Sequence, residues 1–437
     1  MKRQLIRHKF WKVSEKLTSK IFKEQVGEEK LAKDIIQNRI VVQKYGGSSV
    51  ADPDRIRNVA RRIAKKVQEG YKVVTVVSAM GKTTDSLISL AKSVSSKPDE
   101  RELDMLLTTG EQASCALVAM ALKDLGVNAI SLNAFQVKIL TTKNHNNARI
   151  LDISTKKLKD YLDIYDVLVI TGFQGITEDE HLTTLGRGGS DTSAVALAAK
   201  LRCDCEIYSD VAGVYTCDPK LYPETKKLKY VTYDDMLEMA ATGAKVLHSR
   251  SVEIAKKYNV RVYCGSSFND EEGTWVVDRI PEWLEEPLVT GVSLDKNQVK
   301  VSIMDLPNDA KVVTDIFKRV AEKGINVDMI SLVKNGTSTH VSFTVVPERL
   351  DKIEELLNET LADYGAKYHF YGKFSKITVV GTGMRSHYGV ASKLLEVLSE
   401  HGIEPELITT SEIKISVLVP ENVAEELVKS ICKAFDL

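Results

Sequence analysis

The sequence lacks an excess of charge of either sign. Lys and Arg together number 60 among 437 residues, Asp and Glu also number 60, and the formal net charge at pH 7 is zero. Nucleic-acid binding usually requires a basic field, and the whole-chain composition excludes one, so we expect no nucleic-acid partner. No apolar run approaches the ~20 residues that a helix needs to span a bilayer, so we expect no membrane partner either.

Cysteine is sparse and scattered. The six cysteines include no CxxC pair, and no cluster of histidines accompanies them. Cys203 and Cys205 could be half of a metal site, but without partner ligands they are more typical of strand packing. A disulfide framework or a zinc site needs paired spacings. The pattern therefore predicts reduced thiols and a cytoplasmic protein, and no acidic cluster marks a dedicated metal site.

The length predicts two or three domains, because 437 residues exceed one ordinary core. Residues 1–39 are predicted to be a basic amphipathic extension; a mitochondrial transit peptide is the alternative, which the early acids Glu15 and Glu24 disfavour. The further predicted boundaries are an α/β domain at 40–280, a linker and strand at 281–298, and two smaller units at 299–370 and 371–437.

The α/β domain begins with a strand, a glycine turn, a helix and a strand. Residues 40–50 begin with a short apolar run, which is followed by Lys44, Gly46 and Gly47. Asp52-Pro53 is typical of a helix start. Residues 71–77 are β-branched, as in a buried parallel strand. The alternation continues with predicted strands at 129–135, 166–176 and 261–266 and a predicted strand and turn at 205–215. Helices are predicted at 103–125, 233–241 and 243–258. It predicts a mostly parallel sheet with helices on both faces.

Residues 183–200 read TTLGRGGSDTSAVALAAK and join a glycine turn to an alanine-rich helix. Gly188 and Gly189 allow positive φ and close backbone approach, and Ser190 or Asp191 can cap the helix. The N-terminus of a helix favours an anion, although glycine turns that cap helices are common without any ligand.

Several other strand ends repeat this chemistry, and parallel sheets bind ligands at the carboxyl ends of their strands. The candidate residues are Lys44 beside Gly46 and Gly47, Arg187 and Asp191 beside Gly188 and Gly189, Ser209 and Asp210 before Tyr215, and Lys245 within residues 243–247. Together they predict a cradle for polyphosphate, which suits phosphoryl transfer because that reaction depends on positioning and charge neutralisation. The alternative of a dinucleotide fingerprint at Gly381 fails at its third glycine position, which is Ser386.

The C-terminal region contains an internal βαββα repeat. Residues 324–330 and 402–408 occupy the same place in each copy. The first copy is predicted as a strand at 299–303, a helix at 310–323, strands at 326–333 and 339–346 and a helix at 350–364. The second is predicted as a strand at 376–380, a helix at 390–401, strands at 406–410 and 414–419 and a helix at 422–435.

The segments KYGGSSV, TTGE, LGRGGSDTSA, SDVAGVYTCDP and GAKVLH resemble, in order and spacing, the motifs of aspartate kinases in the amino-acid kinase superfamily. The resemblance implies the amino-acid kinase fold followed by two ferredoxin-like ACT units, with residues 289–294 paired to the C-terminal copy. It implies ATP-dependent phosphorylation of the L-aspartate side chain to 4-phospho-L-aspartate, the first step of lysine, threonine and methionine biosynthesis, under feedback control.

The resemblance also implies roles for single residues. Lys44 would neutralise the transferring phosphoryl group, aided by Mg²⁺ and the Gly46 and Gly47 amides, and Asp191 would hold that lysine. Arg187 would pair with a substrate carboxylate and Glu111 with the substrate ammonium. Further substrate-binding positions are Ser78, Thr84, Gly188, Gly189 and Ser190. The ATP-binding positions are Lys44, Gly46, Gly47, Ser48, Ser209, Asp210, Tyr215, Lys220, Lys245 and Val246. Magnesium would arrive mainly bound to the phosphates of ATP.

The ACT units imply an amino-acid effector, with Met304, Ala310 and Asp328 lining the pocket of the first unit. Lysine is the favoured effector and threonine the alternative, and the units imply a homodimer or a dimer of dimers. Three other interpretations stay open: a dimerisation module without a ligand, a related kinase acting on glutamate, carbamate or UMP, and a catalytically silent sensor. A silent sensor should lack Lys44, Arg187 or Asp191, and all three are present.

Overall fold

The computed structural model describes residues 39–244, 246–280, 287–362, 364–385 and 387–437. Apart from Arg39, the predicted N-terminal extension lies outside the described residues, as do Lys245 and residues 281–286 of the predicted linker. Two compact units divide the chain between Asp210 and Val211.

The first unit alternates strands and helices. Its strands are β1 (Ile40–Tyr45), β2 (Lys72–Val77), β3 (Ala129–Leu132), β4 (Ile139–Thr141), β5 (Ile150–Ile153), β6 (Val167–Thr171), β7 (Gln174–Ile176), β8 (Leu182–Thr184) and β9 (Cys205–Ser209). Its helices are α1 (Pro53–Gln68), α2 (Thr83–Val94), α3 (Glu100–Asp124), α4 (Ala134–Val137), α5 (Thr155–Leu162) and α6 (Gly189–Leu201).

The main sheet of this unit has the order β9-β1-β2-β6-β3, and all of its neighbouring strands are parallel. Side chains alternate between its faces, as the pleat requires. Val41 and Tyr45 of β1 enter an apolar core with α1 and α3. Lys44 points to the other face, where α6 packs. The predicted parallel sheet with helices on both faces is confirmed.

Helix α1 begins where the sequence predicted. The Asp52 carboxylate accepts a hydrogen bond from the Arg55 amide at 2.9 Å, and Pro53 is the first helical residue. Capping of this kind typically contributes about 1 kcal/mol. Gly70, with φ of 87°, follows the end of the helix.

Helix α3 starts at Glu100 and not at residue 103, because Asp99 accepts hydrogen bonds from the Arg101 and Glu102 amides and caps it. With 25 residues this helix is long and apolar enough to cross a membrane, and half of its most apolar segment is buried inside the protein. Buried core helices have the same length and composition. The helix also carries two buried carboxyl side chains, Asp104 and Glu111, toward the interior of the first unit.

The predicted strand at 166–176 is two strands in two sheets. β6 ends in the main sheet, and β7 belongs to a second sheet of order β5-β4-β7-β8. The chain turns at Gly172 and Phe173, and Phe173 has a φ of 68°. A Cβ on Gly172 would lie 2.6 Å from the Ser190 hydroxyl oxygen, so only glycine allows the turn to pass α6 at this distance.

Two further predicted elements differ at their ends. The strand predicted at 129–135 stops at Leu132, because Asn133 caps the short helix α4. The helix predicted at 243–258 begins only at Ser249.

The second unit contains a small sheet and a large one. Its strands are β10 (Tyr230–Thr232), β11 (Val262–Ser266), β12 (Thr274–Val277), β13 (Gly291–Pro307), β14 (Asp328–Asn335), β15 (Ser338–Val345), β16 (Lys367–Val380), β17 (Leu407–Thr410) and β18 (Lys414–Pro420). Its helices are α7 (Tyr233–Ala241), α8 (Ser249–Tyr258), α9 (Ala310–Glu322), α10 (Leu350–Leu361), α11 (Val390–Glu400) and α12 (Glu421–Ala434).

The two repeats share one antiparallel sheet of order β14-β15-β13-β16-β18-β17. The long strands β13 and β16 pair with each other and run through both halves. Gly291 pairs with Val380 and Leu294 with Ile377, so the predicted pairing of residues 289–294 with the C-terminal copy is confirmed. Each half has its own apolar core.

Helix α7 is fastened to this sheet by buried polar contacts. The fully buried Asp235 accepts hydrogen bonds from the Thr290 hydroxyl at 2.8 Å and the Thr382 amide at 2.9 Å. Burial raises the pKa of Asp235, and these hydrogen bonds oppose the rise. The Thr242 and Ser293 hydroxyls lie 2.6 Å apart in the same contact.

Candidate active site

Lys44 and Asp191 form an ion pair at the carboxyl end of β1. The Lys44 Nζ atom lies 2.7 Å from Asp191 Oδ1, and the two side chains are only 11% and 13% exposed. β1 carries the lysine and the first turn of α6 carries the aspartate. Since a nearly buried charge requires a partner of opposite charge, each of the two residues explains how the other can be buried. The predicted pairing of these two residues is present.

The glycine turn after β1 lies very close to neighbouring backbone. A Cβ on Gly47 would lie 2.8 Å from the Ala79 carbonyl oxygen, and one on Gly46 would lie 3.4 Å from Lys44 Nζ. The Gly46 amide donates to the Tyr208 carbonyl at 3.2 Å. The family resemblance implied that this amide binds a phosphoryl group. In the structure the amide instead joins the turn to β9, because β9 pairs with β1.

The N-terminus of α6 is capped differently from the sequence prediction. Gly188 occupies the cap position with φ of 68°, and Ser190 and Asp191 lie inside the first turn without a capping hydrogen bond. Gly189 packs on Phe173, to whose Cδ2 atom a Cβ would approach within 2.8 Å. The Asp191 carboxylate is therefore available to Lys44.

Arg187 precedes this turn and is exposed. Its guanidinium forms no ion pair with any residue of the described ranges. A planar fork with five donors, left without an internal partner, suits a ligand carboxylate or phosphate.

Glu111 reaches the turn after β2 from α3. Its Oε1 atom accepts a hydrogen bond from the Ala79 amide at 3.1 Å, and the residue is 3% exposed. Gly110 permits this approach, because a Cβ there would lie 2.9 Å from the Ala79 Cβ. Within the part of the chain that the structure describes, Oε2 finds no hydrogen-bond partner. Burial raises the pKa of Glu111 to about 7, against the lowering effect of the Ala79 hydrogen bond.

The other predicted positions of the first unit lie at the same edge of the main sheet. Ser78 directly follows β2, and its amide donates to the Tyr45 carbonyl at 3.1 Å. Ser48 lies in a 3₁₀ turn after β1, and Thr84 lies in the first turn of α2. Ser209 is the last residue of β9, the neighbour of β1, and Asp210 directly follows that strand. The carboxyl ends of three adjacent parallel strands thus hold these candidates together.

Sequence reasoning missed the residues that hold β9 against β1. Gln43 donates to the buried Glu206 carboxylate at 2.7 Å, and Lys66 of α1 pairs with the same carboxylate at 2.8 Å. The rings of Tyr45 and Tyr208 stack with centroids 5.2 Å apart. Polar residues inside a strand that is otherwise apolar were the available signal.

Family models and known proteins match most of this chain. The profile of the amino acid kinase family matches residues 39–266, and an ACT domain profile matches residues 377–435. An aspartokinase of Mycolicibacterium smegmatis is 45% identical over 408 residues, which cover 91% of this chain and 96% of that protein. One from Geobacillus stearothermophilus is 44% identical over 400 residues, covering 91% and 97%. The chain belongs to the aspartokinase family.

A solved structure supports the same fold. Aspartokinase III of E. coli, crystallised in complex with aspartate and ADP, has a TM-score of 0.79 at 23% identity and covers 91% of this chain and 100% of its own. At this identity the likeness concerns the fold of the aspartokinase, and residue roles depend on the site itself.

The remaining ATP-binding predictions fall in the second unit. Tyr215 is half-buried and forms an isolated bridge with Lys227, Lys220 is exposed, and Val246 is half-buried. Lys245 lies outside the described residues. These assignments stay predictions.

The three predicted effector residues do not meet within one chain. Asp328 and Lys300 both pair with Thr344, so Asp328 lies level with Lys300, four residues before Met304 along β13. At 3.3 Å per residue this separates the Asp328 level from Met304 by ~13 Å, and Ala310 lies farther on, at the start of α9. The strands β13 and β14 run in the same direction, which places the start of one beside the start of the other.

Asp328 already has a cationic partner inside its own unit. Its carboxylate forms an ion pair with the nearly buried Lys376 of β16. Burial would raise the pKa of Asp328, but the hydrogen bond and charge of Lys376 hold it below its ordinary value. A ligand ammonium that binds Asp328 must therefore compete with Lys376.

The pKa of Glu111 leads to a test of its buried environment. The folded pKa of about 7 lies above the ordinary value of 4.5, so the folded state holds a proton that the unfolded state releases between these two pH values. Stability should therefore fall as pH rises from about 4.5 to about 7 and stay level above. This decline in the free energy of unfolding should be on the order of 3 kcal/mol or less, and Glu111→Gln should lack it.

The measurement is the free energy of urea unfolding at pH 5 and pH 8. Glu100→Gln, the same change at an exposed position of the same helix, should keep the decline of the unsubstituted protein. An equal pH dependence in Glu111→Gln and Glu100→Gln would contradict the assignment.

Proposed function

We propose that the chain transfers the γ-phosphoryl group of ATP to the side-chain carboxylate of L-aspartate, giving 4-phospho-L-aspartate. The observation that carries the proposal is the nearly buried Lys44–Asp191 pair, at 2.7 Å, between two glycine turns. Family membership and the aspartate and ADP bound by aspartokinase III of E. coli support the same substrates.

The reaction needs charge neutralisation more than proton transfer. A carboxylate with a reference pKa of about 4 is ionised at neutral pH and attacks without a general base. The difficulty is repulsion between two anions. The ion pair with Asp191 fixes the position of the Lys44 ammonium, whose N–H donors can bind phosphoryl oxygens. Asp191 thereby directs the charge without occupying all of it.

Substrate selection is assigned to Arg187 and Glu111. Arg187 binds a carboxylate of aspartate in a bidentate fork, and the unpartnered Oε2 of Glu111 accepts the ammonium. A nearby ammonium favours the ionised form of Glu111, so aspartate binding near neutral pH is coupled to release of the proton held by the Glu111 carboxyl group. This carboxylate also argues against carbamate or UMP as acceptor, since neither has an ammonium group.

Magnesium accompanies the nucleotide in this proposal. Among the described residues no group of three or more His, Cys, Asp or Glu side chains could hold a metal ion. This donor set fits a Mg²⁺ ion that is bound mainly by phosphate oxygens and waters. When bound, the ion would offset part of the phosphate charge, while Lys44 and the Gly47 amide orient the reacting group. Ser48, Ser209, Asp210, Tyr215, Lys220, Lys245 and Val246 are the proposed contacts to ATP.

The ACT units are proposed to bind lysine, with threonine as the second candidate. Lysine bound to aspartokinase III of E. coli in its T state supports this choice. The effector site is proposed to use Met304, Ala310 and Asp328 from two copies of the chain, since one copy holds them apart. In this proposal the chain forms a homodimer or a dimer of dimers through its ACT units. It acts in the cytoplasm, at the first step of lysine, threonine and methionine biosynthesis.

Helix α7 is the proposed connection between effector and nucleotide within the second unit. Through Asp235 it is hydrogen-bonded to Thr290, just before β13, and to Thr382, just after β16. It leads into Gly243, before the proposed ATP contact at Val246. A Cβ on Gly243 would lie 2.7 Å from the Leu294 carbonyl oxygen on β13. An element that both sites can bias is what allosteric coupling requires.

Removing the charge of Lys44 should abolish turnover while the fold persists. Lys44→Ala should lower kcat by about three orders of magnitude, because repulsion between the two anions is no longer offset. The measurement is ADP release with aspartate, beside circular dichroism. Lys92→Ala removes an exposed lysine of α2 and should keep normal turnover; near-normal turnover in Lys44→Ala would refute the catalytic role.

Arg187→Ala should act mainly on the acceptor substrate. Loss of a bidentate contact should raise KM for aspartate by about tenfold or more, with KM for ATP changed by less than about threefold. The assay is ADP release across aspartate, glutamate and carbamate at saturating ATP. An unchanged KM for aspartate would remove the proposed role of Arg187.

Asp328→Asn should weaken feedback by lysine. The amide cannot balance the effector ammonium, so the concentration for half-inhibition should rise by about tenfold or more, each variant being compared with its own rate without effector. Asp351→Asn, an exposed acid on α10, is the matched control. Equal lysine sensitivity in both variants would exclude Asp328 from the effector site, and threonine is tested in parallel.

A further inference from the structure

Asp104 is a buried carboxylate that none of the roles above uses. It lies on α3 seven residues before Glu111, so both side chains project from the same face of the helix. Asp104 is fully buried, with 0% exposure. A buried carboxylate persists only where donors replace its lost hydration. Its donors therefore show what it holds in place.

Two chain segments supply these donors. The Asn146 amide lies 3.2 and 3.1 Å from the two carboxylate oxygens, and Nδ1 of His145 lies 2.7 Å from Oδ2. The Thr184 hydroxyl donates to Oδ1 at 2.6 Å. Because an ionised carboxylate only accepts, Nδ1 of His145 carries the proton. Asp104 thus joins α3 to the 142–149 loop and to the end of β8.

The same loop supports the turn that leads to Arg187. The Ala148 amide donates to the Thr184 carbonyl at 2.9 Å. Gly186 has φ of 76°, and a Cβ there would lie 2.9 Å from the Asn146 carbonyl oxygen. The turn before Arg187 is therefore built directly against the loop that Asp104 holds.

We propose that Asp104 is a positioning residue for Arg187. Within the described ranges Arg187 has no ion-pair partner, so its place is set by the turn before it and not by contacts of its guanidinium. Because Asp104 and Glu111 share one face of α3, the helix sets the distance between the group that binds the ammonium and the turn that carries the carboxylate fork. The inference rests on the proposed function, in which Arg187 and Glu111 bind aspartate.

Asp104→Asn tests this role with little change in shape. The amide keeps one acceptor but turns an NH₂ group toward the Asn146 amide or the His145 ring, which are donors. KM for aspartate should rise by about tenfold, while kcat and KM for ATP should change by less than about threefold. A merely structural role would lower the active fraction, and so kcat, without changing KM for aspartate. Asp124→Asn, the same change at an exposed position of α3, should leave all three constants unchanged.

Variants of Thr184 provide a second test, which can be made even if the Asp104→Asn variant does not fold. Thr184→Val removes the hydroxyl that donates to Asp104 but keeps the shape, and Thr184→Ser keeps the hydroxyl. KM for aspartate should rise by about threefold or more in the valine variant and return to within about twofold of normal in the serine variant. A normal KM for aspartate in Thr184→Val would overturn the proposal.

The double variant Asp104→Asn/Arg187→Ala separates this inference from the proposed function. If Asp104 acts through Arg187, adding Asp104→Asn to Arg187→Ala should raise KM for aspartate by no more than about twofold. If the double variant instead shows the full combined effect of the two single changes on KM for aspartate, the positioning role is overturned and the proposed function stays intact. An unchanged KM in Arg187→Ala alone would overturn the substrate role of Arg187, and the inference with it.

Discussion

The ion pair between Lys44 and Asp191 is the interaction on which the candidate site depends. Neither charge could stay at about one-tenth exposure alone, since desolvation of an unpaired ion costs several kcal/mol. The pair exists because Lys44 points from β1 toward α6, and because Gly188, not Asp191, caps that helix. Parallel strands on either side of β1 then bring two more strand ends to the same edge.

Close backbone approach is the second constraint, and it explains the glycines of the motifs. At Gly47, Gly110 and Gly172 a Cβ would come within 3.0 Å of a neighbouring atom. Each glycine removes a side chain where two segments converge: the turn after β1 on the turn after β2, α3 on that same turn, and the corner after β6 on α6. These glycines therefore have a packing role of their own, and the Gly46 amide likewise joins the turn after β1 to β9 by donating to the Tyr208 carbonyl.

Helix α3 shows how hydrogen bonding separates two similar carboxyl groups. Asp104 accepts from a backbone amide, an imidazole and a hydroxyl, and this complete set suits it to hold the 142–149 loop against α3. Among the described residues Glu111 has one backbone donor and one oxygen without a hydrogen-bond partner, and its pKa is raised to about 7. An incompletely satisfied buried acid is a candidate for ligand binding, whereas a satisfied one holds the fold.

Local sequence is enough to predict the alternation of strands and helices, the start of α1, the repeat after residue 287 and the glycine turns beside Lys44 and Arg187. These depend on local periodicity, capping and glycine content, which neighbouring residues decide. Three other features come from the folded chain. The corner at Phe173 sends β7 into a second sheet, and the Tyr208 carbonyl accepts a hydrogen bond from the Gly46 amide. Asp328 pairs with Lys376 and lies away from Met304. Those outcomes depend on strand register and on contacts between segments far apart in the chain, which local sequence does not specify.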